Sequence, residues 1–174
     1  MSVLLAPWIV VWTAQANNPT VGGALGIIAA AVVPLIWLAF KPTLFERITV
    51  LAVAGLSLSA LLGVGMRVVV PISYGAFGLM WFITVFCKIP LTAHYSKNSY
   101  GGDKAFANPL FMRTNRILTA CWGVLYLLAP FWTYGLMTTA AGPFSGLINS
   151  VAPAVMGWFT VWFQKWYPAK WARG

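Results

Sequence analysis

The chain has 174 residues, 60% of them apolar and 7% charged, with a mean hydropathy of +0.81 and a formal net charge of +9. A soluble domain carries about a quarter charged residues, so this chain cannot cover a water-facing surface and reads as an all-α, polytopic membrane helical bundle. Its cations stand at the edges of apolar runs rather than in one basic arm with interleaved aromatics, which argues against nucleic acid and for membrane lipids as partners.

A helix needs about 20 residues to cross ~30 Å of hydrocarbon, and six segments meet or approach that length. The first runs from about Val3 to Ala16. It imitates a signal peptide but lacks a positive start, and reads as a retained segment. The second runs from Thr20 to Phe40. Residues 44–87 form one apolar run, interrupted only by Glu46, Arg67 and Pro71. It is about twice a span, so it folds as two helices that turn at GVGMR, residues 63–67. A polar loop follows over 93–112. The fifth segment covers Thr114 to Met137 and the sixth Phe144 to Tyr167. Barrel strands would alternate apolar and polar residues, which these runs do not. Backbone amides in lipid must be satisfied within the segment, so the segments are helices.

This predicts a single membrane domain over 1–174, in hairpins at about 1–43, 44–92 and 113–168 with a cytoplasmic loop at 93–112. With the N-terminus inside, ten of the eleven Lys and Arg residues emerge on the cytoplasmic side and only Arg67 on the other. That bias predicts both termini in the cytoplasm. Segments two, four and six end in WLAFKP, FCKIP and FQKWYP. These fit either a tandem hairpin repeat or the general preference of inner helix ends for aromatics, Lys and Pro.

Three stretches carry a resemblance: KPTLFERITVLAV, then PLTAHYSKNSYGGDKAFANPLFMRTNRILTACWG, then a last helix ending in an aromatic-rich YP. Together they resemble a group of small bacterial inner-membrane proteins, similar in layout to the intracellular septation protein A family. The resemblance implies the bacterial inner membrane and a role in cell-envelope maintenance, and it carries over no catalytic residue. The loop here departs from those relatives in having few acids.

Chemistry-bearing residues are sparse. No Asp, Glu, Lys or His falls near the middle of a predicted span, where a proton-coupled carrier keeps one. Cys87 and Cys121 lie in apolar segments without metal or redox spacing and read as free thiols. The Gly101–Gly102 pair matches no phosphate-binding loop and reads as a turn. No cofactor and no metal is expected. His94, the only histidine, is either an interfacial side chain bonded to loop backbone or a general base.

Arg113 and Arg116, three apart at the expected start of the fifth segment, share a helix face near free amides that favour anions. With Lys88, His94 and Lys97 they form a candidate contact for anionic lipid headgroups. The plainer alternative is that they only anchor the helix. Most of the ten Trp residues, Trp8, Trp12 and Trp158 among them, are expected in an interfacial belt, with Trp81 and Trp122 deeper. Small residues in GGALG, GLSLSALLGVG and YGAFG offer close packing against other membrane subunits or a second copy.

Three functions follow. The leading one is a non-enzymatic accessory or scaffold component of a membrane complex or of envelope maintenance. The alternative is a channel or carrier for a small neutral or anionic solute, with Ser57, Ser59, Ser73, Thr84 and Thr119 lining its path. The third is a lipid enzyme using His94 with Arg113 and Arg116.

Overall fold

A computed structural model describes residues 7–9, 11–15, 18–38 and 42–172, which are helical with no strand among them. Five helices are long and apolar enough to cross a membrane: α1 (Pro19–Ile36), α2 (Leu44–Leu61), α3 (Met66–Thr84), α5 (Pro109–Met137) and α6 (Ser145–Trp171). A short α4 (Leu91–Ser96) precedes α5. Much of the expected segment from Val3 to Ala16 lies outside the described residues. Its described part is helical at residues 7–9, then forms a π-helical turn, Val11–Gln15.

Local chemistry sets the helix ends. The Asn18 side chain caps α1 by accepting from the Val21 amide at 3.1 Å, and Pro19 takes the first helical position, where a missing N–H costs nothing. A reciprocal cap opens α2: Thr43 Oγ1 accepts from the Glu46 amide at 3.2 Å, and Glu46 Oε2 accepts from the Thr43 amide at 2.6 Å. The break expected at residues 63–67 is present. α2 ends at Leu61, Gly63 adopts φ +86°, a conformation open to glycine, and α3 starts at Met66.

The loop expected over 93–112 is largely folded. After α4 come two 3₁₀ turns, Lys97–Tyr100 and Gly102–Ala107, joined through Gly101 at φ +91° and Gly102 at φ +73°. α5 then begins at Pro109, a turn before the expected Thr114, because Asn108 Oδ1 accepts from the Leu110 amide at 2.9 Å and the Phe111 amide at 3.2 Å.

The chain divides into two units, Met1–Phe77 with Leu128–Leu147 and Gly78–Leu127 with Ile148–Gly174. In the first, α1 and α2 pack as an antiparallel hairpin. Gly23, early in α1, lies so close to the end of α2 that an added Cβ would be 2.8 Å from Leu61 Cγ and 3.1 Å from the Ser57 carbonyl. The same unit holds an aromatic core. Trp12 stacks on Tyr74 at 4.7 Å, and Phe77 meets Trp8 edge-on at 5.0 Å and Trp12 at 5.2 Å. Trp12 Nε1 donates to Ser73 Oγ at 3.0 Å. Trp8 is buried and Trp12 half-buried in this cluster.

In the second unit α3 and α5 run antiparallel at backbone contact. A Cβ on Gly78 would fall 2.5 Å from the Leu127 nitrogen, and one on Gly123 would fall 2.9 Å from Phe82 Cα. Trp81 and Trp122 pack beside this crossing at 5.6 Å.

Candidate functional site

The polar residues of the second unit join α4, α5 and α6. Thr119, on α5, donates its single hydroxyl hydrogen to the Asn115 carbonyl at 2.8 Å. Both of its lone pairs then face Thr92 of α4, whose amide lies at 3.1 Å and whose hydroxyl lies at 2.8 Å. The Thr92 hydroxyl is therefore the donor of that second bond. One turn along, Ser96 Oγ sits 2.8 Å from the Thr92 carbonyl and 3.0 Å from Asn115 Oδ1, sharing one hydrogen between them. Asn115 is 1% exposed. Its Nδ2 donates to the Phe111 carbonyl at 2.9 Å, and its Oδ1 also accepts from Gln164 Nε2 of α6 at 3.3 Å. Higher on α6, Thr160 Oγ1 accepts from Trp122 Nε1 at 2.9 Å.

Of the expected headgroup residues, Arg113, Arg116, Lys97 and His94 each have a partner of their own. Arg116 donates to the carbonyls of Cys87 at 3.1 Å and Lys88 at 3.5 Å, which closes the stretch just after α3. Arg113 lies over the Trp171 ring at 4.7 Å. Lys97 pairs with Asp103 at 2.6 Å and lies over Phe106 at 5.5 Å. That hydrogen bond and the Lys97 charge hold the exposed Asp103 carboxyl below its ordinary range. His94 is half-buried with its ring edge-on to Tyr95 at 5.9 Å, and Lys88 is exposed.

Arg113 and Arg116 thus share a helix but are directed at different partners, and both remain exposed. Since α5 starts at Pro109, they sit past the free amides of its first turn, so those amides do not add to their pull on an anion. Lys41 and Arg173, two more cations of the expected cytoplasmic side, lie outside the described residues.

Aromatics accompany these cations on α6. Trp162 stacks on Trp166 at 5.1 Å and Phe163 on Tyr167 at 5.1 Å, each pair one helical turn apart. Lys170 lies over Trp166 at 5.1 Å. Trp158, Trp162, Trp166 and Trp171 are exposed on this helix. Cys87 and Cys121 are free thiols.

Between α5 and α6 opens a cleft of about 110 Å³, lined by Tyr100, Asn108, Leu110, Phe111, Asn115 and Gln164 among others. Sequence reading passed over Thr92, Ser96, Asn115, Thr119 and Gln164 as the framework here. Their signal was the spacing: Thr92 and Ser96, Asn115 and Thr119, and Thr160 and Gln164 are each four apart, so each pair lines one helix face. No family model, no curated protein and no solved structure matches this chain.

Proposed function

We propose that the protein is a non-enzymatic integral membrane component, an accessory or scaffold subunit that packs against other subunits or its own copies and holds anionic lipid at its cationic rim. The observation that carries this reading is where the polar side chains go. Ser59, Ser73 and Thr84 donate to carbonyls of their own helices at 2.6–2.8 Å, and Thr119 is saturated by Thr92 and Asn115. Side chains committed in this way fasten and shape helices. The carrier alternative needs them facing a solute, so the reading as a packed component gains.

Two further features support it. A Cβ at Gly55, Gly135 or Gly157 would meet nothing within 4 Å, so each offers close approach to a neighbouring helix. Arg113 over Trp171 and Lys170 over Trp166 pair cation with indole, a combination favoured where a membrane protein meets headgroups.

We place the protein in the bacterial inner membrane with its carboxyl end in the cytoplasm. If all five candidate helices cross, the loop after α3 and the end of α6 share one side with Arg67 opposite, and the charge bias supports that reading. A sixth crossing by the first segment changes only the side of the amino terminus, and we assign that terminus to the cytoplasm as well. Envelope maintenance is the theme that the family resemblance adds.

Purification of the native protein in mild detergent tests the reading. A larger complex or a stable homo-oligomer is the expected result. A lone monomer that conducts solute in liposomes would replace the scaffold with the carrier.

A further inference from the structure

The cleft between α5 and α6 has a depth, a size and a chemistry that together name a ligand. Its depth follows from helix length. α5 has 29 residues and is about 43 Å long at 1.5 Å per residue, against ~30 Å of hydrocarbon. Roughly nine of its residues therefore stand beyond the hydrocarbon. The turns carrying Arg113 and Arg116, and the end of α6 carrying Lys165 and Lys170, mark the end that projects. The cleft lies within these turns, between Leu110–Asn115 and Gln164–Pro168. It opens where acyl chains give way to headgroups.

The size excludes a whole small-molecule substrate. A volume near 110 Å³ is about a third of the ~300 Å³ at which such pockets begin. The cleft holds a fragment whose remainder lies outside, as a lipid's chains and headgroup would.

The chemistry specifies that fragment. No lining residue is charged, and the walls are largely apolar, with Tyr100 packed on Phe111 at 5.3 Å. The lining keeps spare donors beside the acceptors Gln164 Oε1 and Thr114 Oγ1. Asn115, almost wholly buried, uses one of its two amide hydrogens on the Phe111 carbonyl. Asn108 commits its oxygen to the α5 amides and leaves its Nδ2 hydrogens for a ligand, and the Tyr100 hydroxyl adds another donor. Donors in an apolar, uncharged recess suit ester carbonyls, which only accept. Arg113, beside Thr114 of the cleft wall, stays exposed and rests its face on Trp171, so its N–H edge is open to a phosphate.

We propose that this cleft seats the ester region of an anionic glycerophospholipid whose phosphate is taken by Arg113. The proposal rests on the lipid-holding rim proposed above and names the lipid contact of that site.

Native mass spectrometry of the full chain separates the two readings. The probes are dioleoyl phosphatidylglycerol and its dialkyl ether counterpart, which keeps the phosphate but lacks the carbonyls. The ester lipid should bind at least fivefold tighter. Leu110→Trp, which fills the cleft, should bring the two within twofold, as should the gentler Tyr100→Phe if the first variant does not fold. Arg113→Gln should weaken both lipids. Equal binding of ester and ether lipids, still dependent on Arg113, would overturn the cleft and leave the rim standing. Retention of neither lipid by the unaltered protein would overturn both.

Discussion

The two units hold their apolar helices together by different means. In the first, α1 and α2 approach through Gly23, and five rings from Trp8 to Phe77 fill the core with one indole–hydroxyl bond among them. In the second, glycines bring α3 and α5 to backbone contact, and a chain of side-chain hydrogen bonds from Thr92 through Thr119 and Asn115 to Gln164 ties three helices. Lipid tails are as apolar as Leu, so apolar burial adds little to helix association in a membrane. Shape and directional bonds decide. The ring-packed unit specifies its structure by shape, the bonded unit by partners.

Substitutions at the tightest points measure that contrast. The largest effect is expected for Gly78→Ala. Its Cβ would collide with main-chain atoms at 2.5–2.6 Å, which cannot swing away, and the loss should reach about 3 kcal/mol, the upper part of the usual overpacking range. Thermal unfolding in detergent reads it. Thr119→Val follows at about 2 kcal/mol, because it strands two buried donors of Thr92. A double-mutant cycle with Thr92→Val should show coupling, and its absence would break the claim that these residues act as a unit.

Gly23→Ala in the first unit should cost less, about 1 kcal/mol, since the nearest atom at 2.8 Å belongs to the flexible Leu61 side chain. Equal losses for Gly23→Ala and Gly78→Ala would erase the distinction between the units. The smallest effect belongs to Asp103→Asn, whose ion pair is exposed. Asp103 titrates below its ordinary value, so the pair's contribution is present above the unfolded pKa and is lost as pH falls through the lowered folded value. Any difference between the variant and the parent should be visible at pH 7 and vanish in strong acid.

Much of the fold was legible in the sequence because hydrocarbon thickness imposes a length. The runs at 20–40, 44–87, 114–137 and 144–167 gave the five helices long and apolar enough to cross a membrane, and Gly63 betrayed the break in the longest run. The start of α5 was missed because Pro109 and Asn108 read as loop residues, although together they form a strong helix opening. The ring cluster of Trp8 and Trp12 was not legible, since tryptophan is common both at interfaces and in cores, and only tertiary contacts show what it packs against. The partners of the cationic residues were not legible, because whether Arg113 turns to Trp171 depends on α6, with Trp171 58 residues away in sequence.

The disposition of the two acids has an electrostatic consequence. Glu46 is occupied at a helix cap and Asp103 is bound to Lys97. Between pH 5 and 8 histidine is the side chain whose ordinary titration alters charge, and the chain has one. Acidification across that interval therefore alters the side-chain charge by no more than the one charge of that histidine. Attraction to an anionic bilayer should fall with ionic strength, through a screening length of about 10 Å at 0.1 M, and acidification should raise it by at most that single charge, about 1 kcal/mol near the surface.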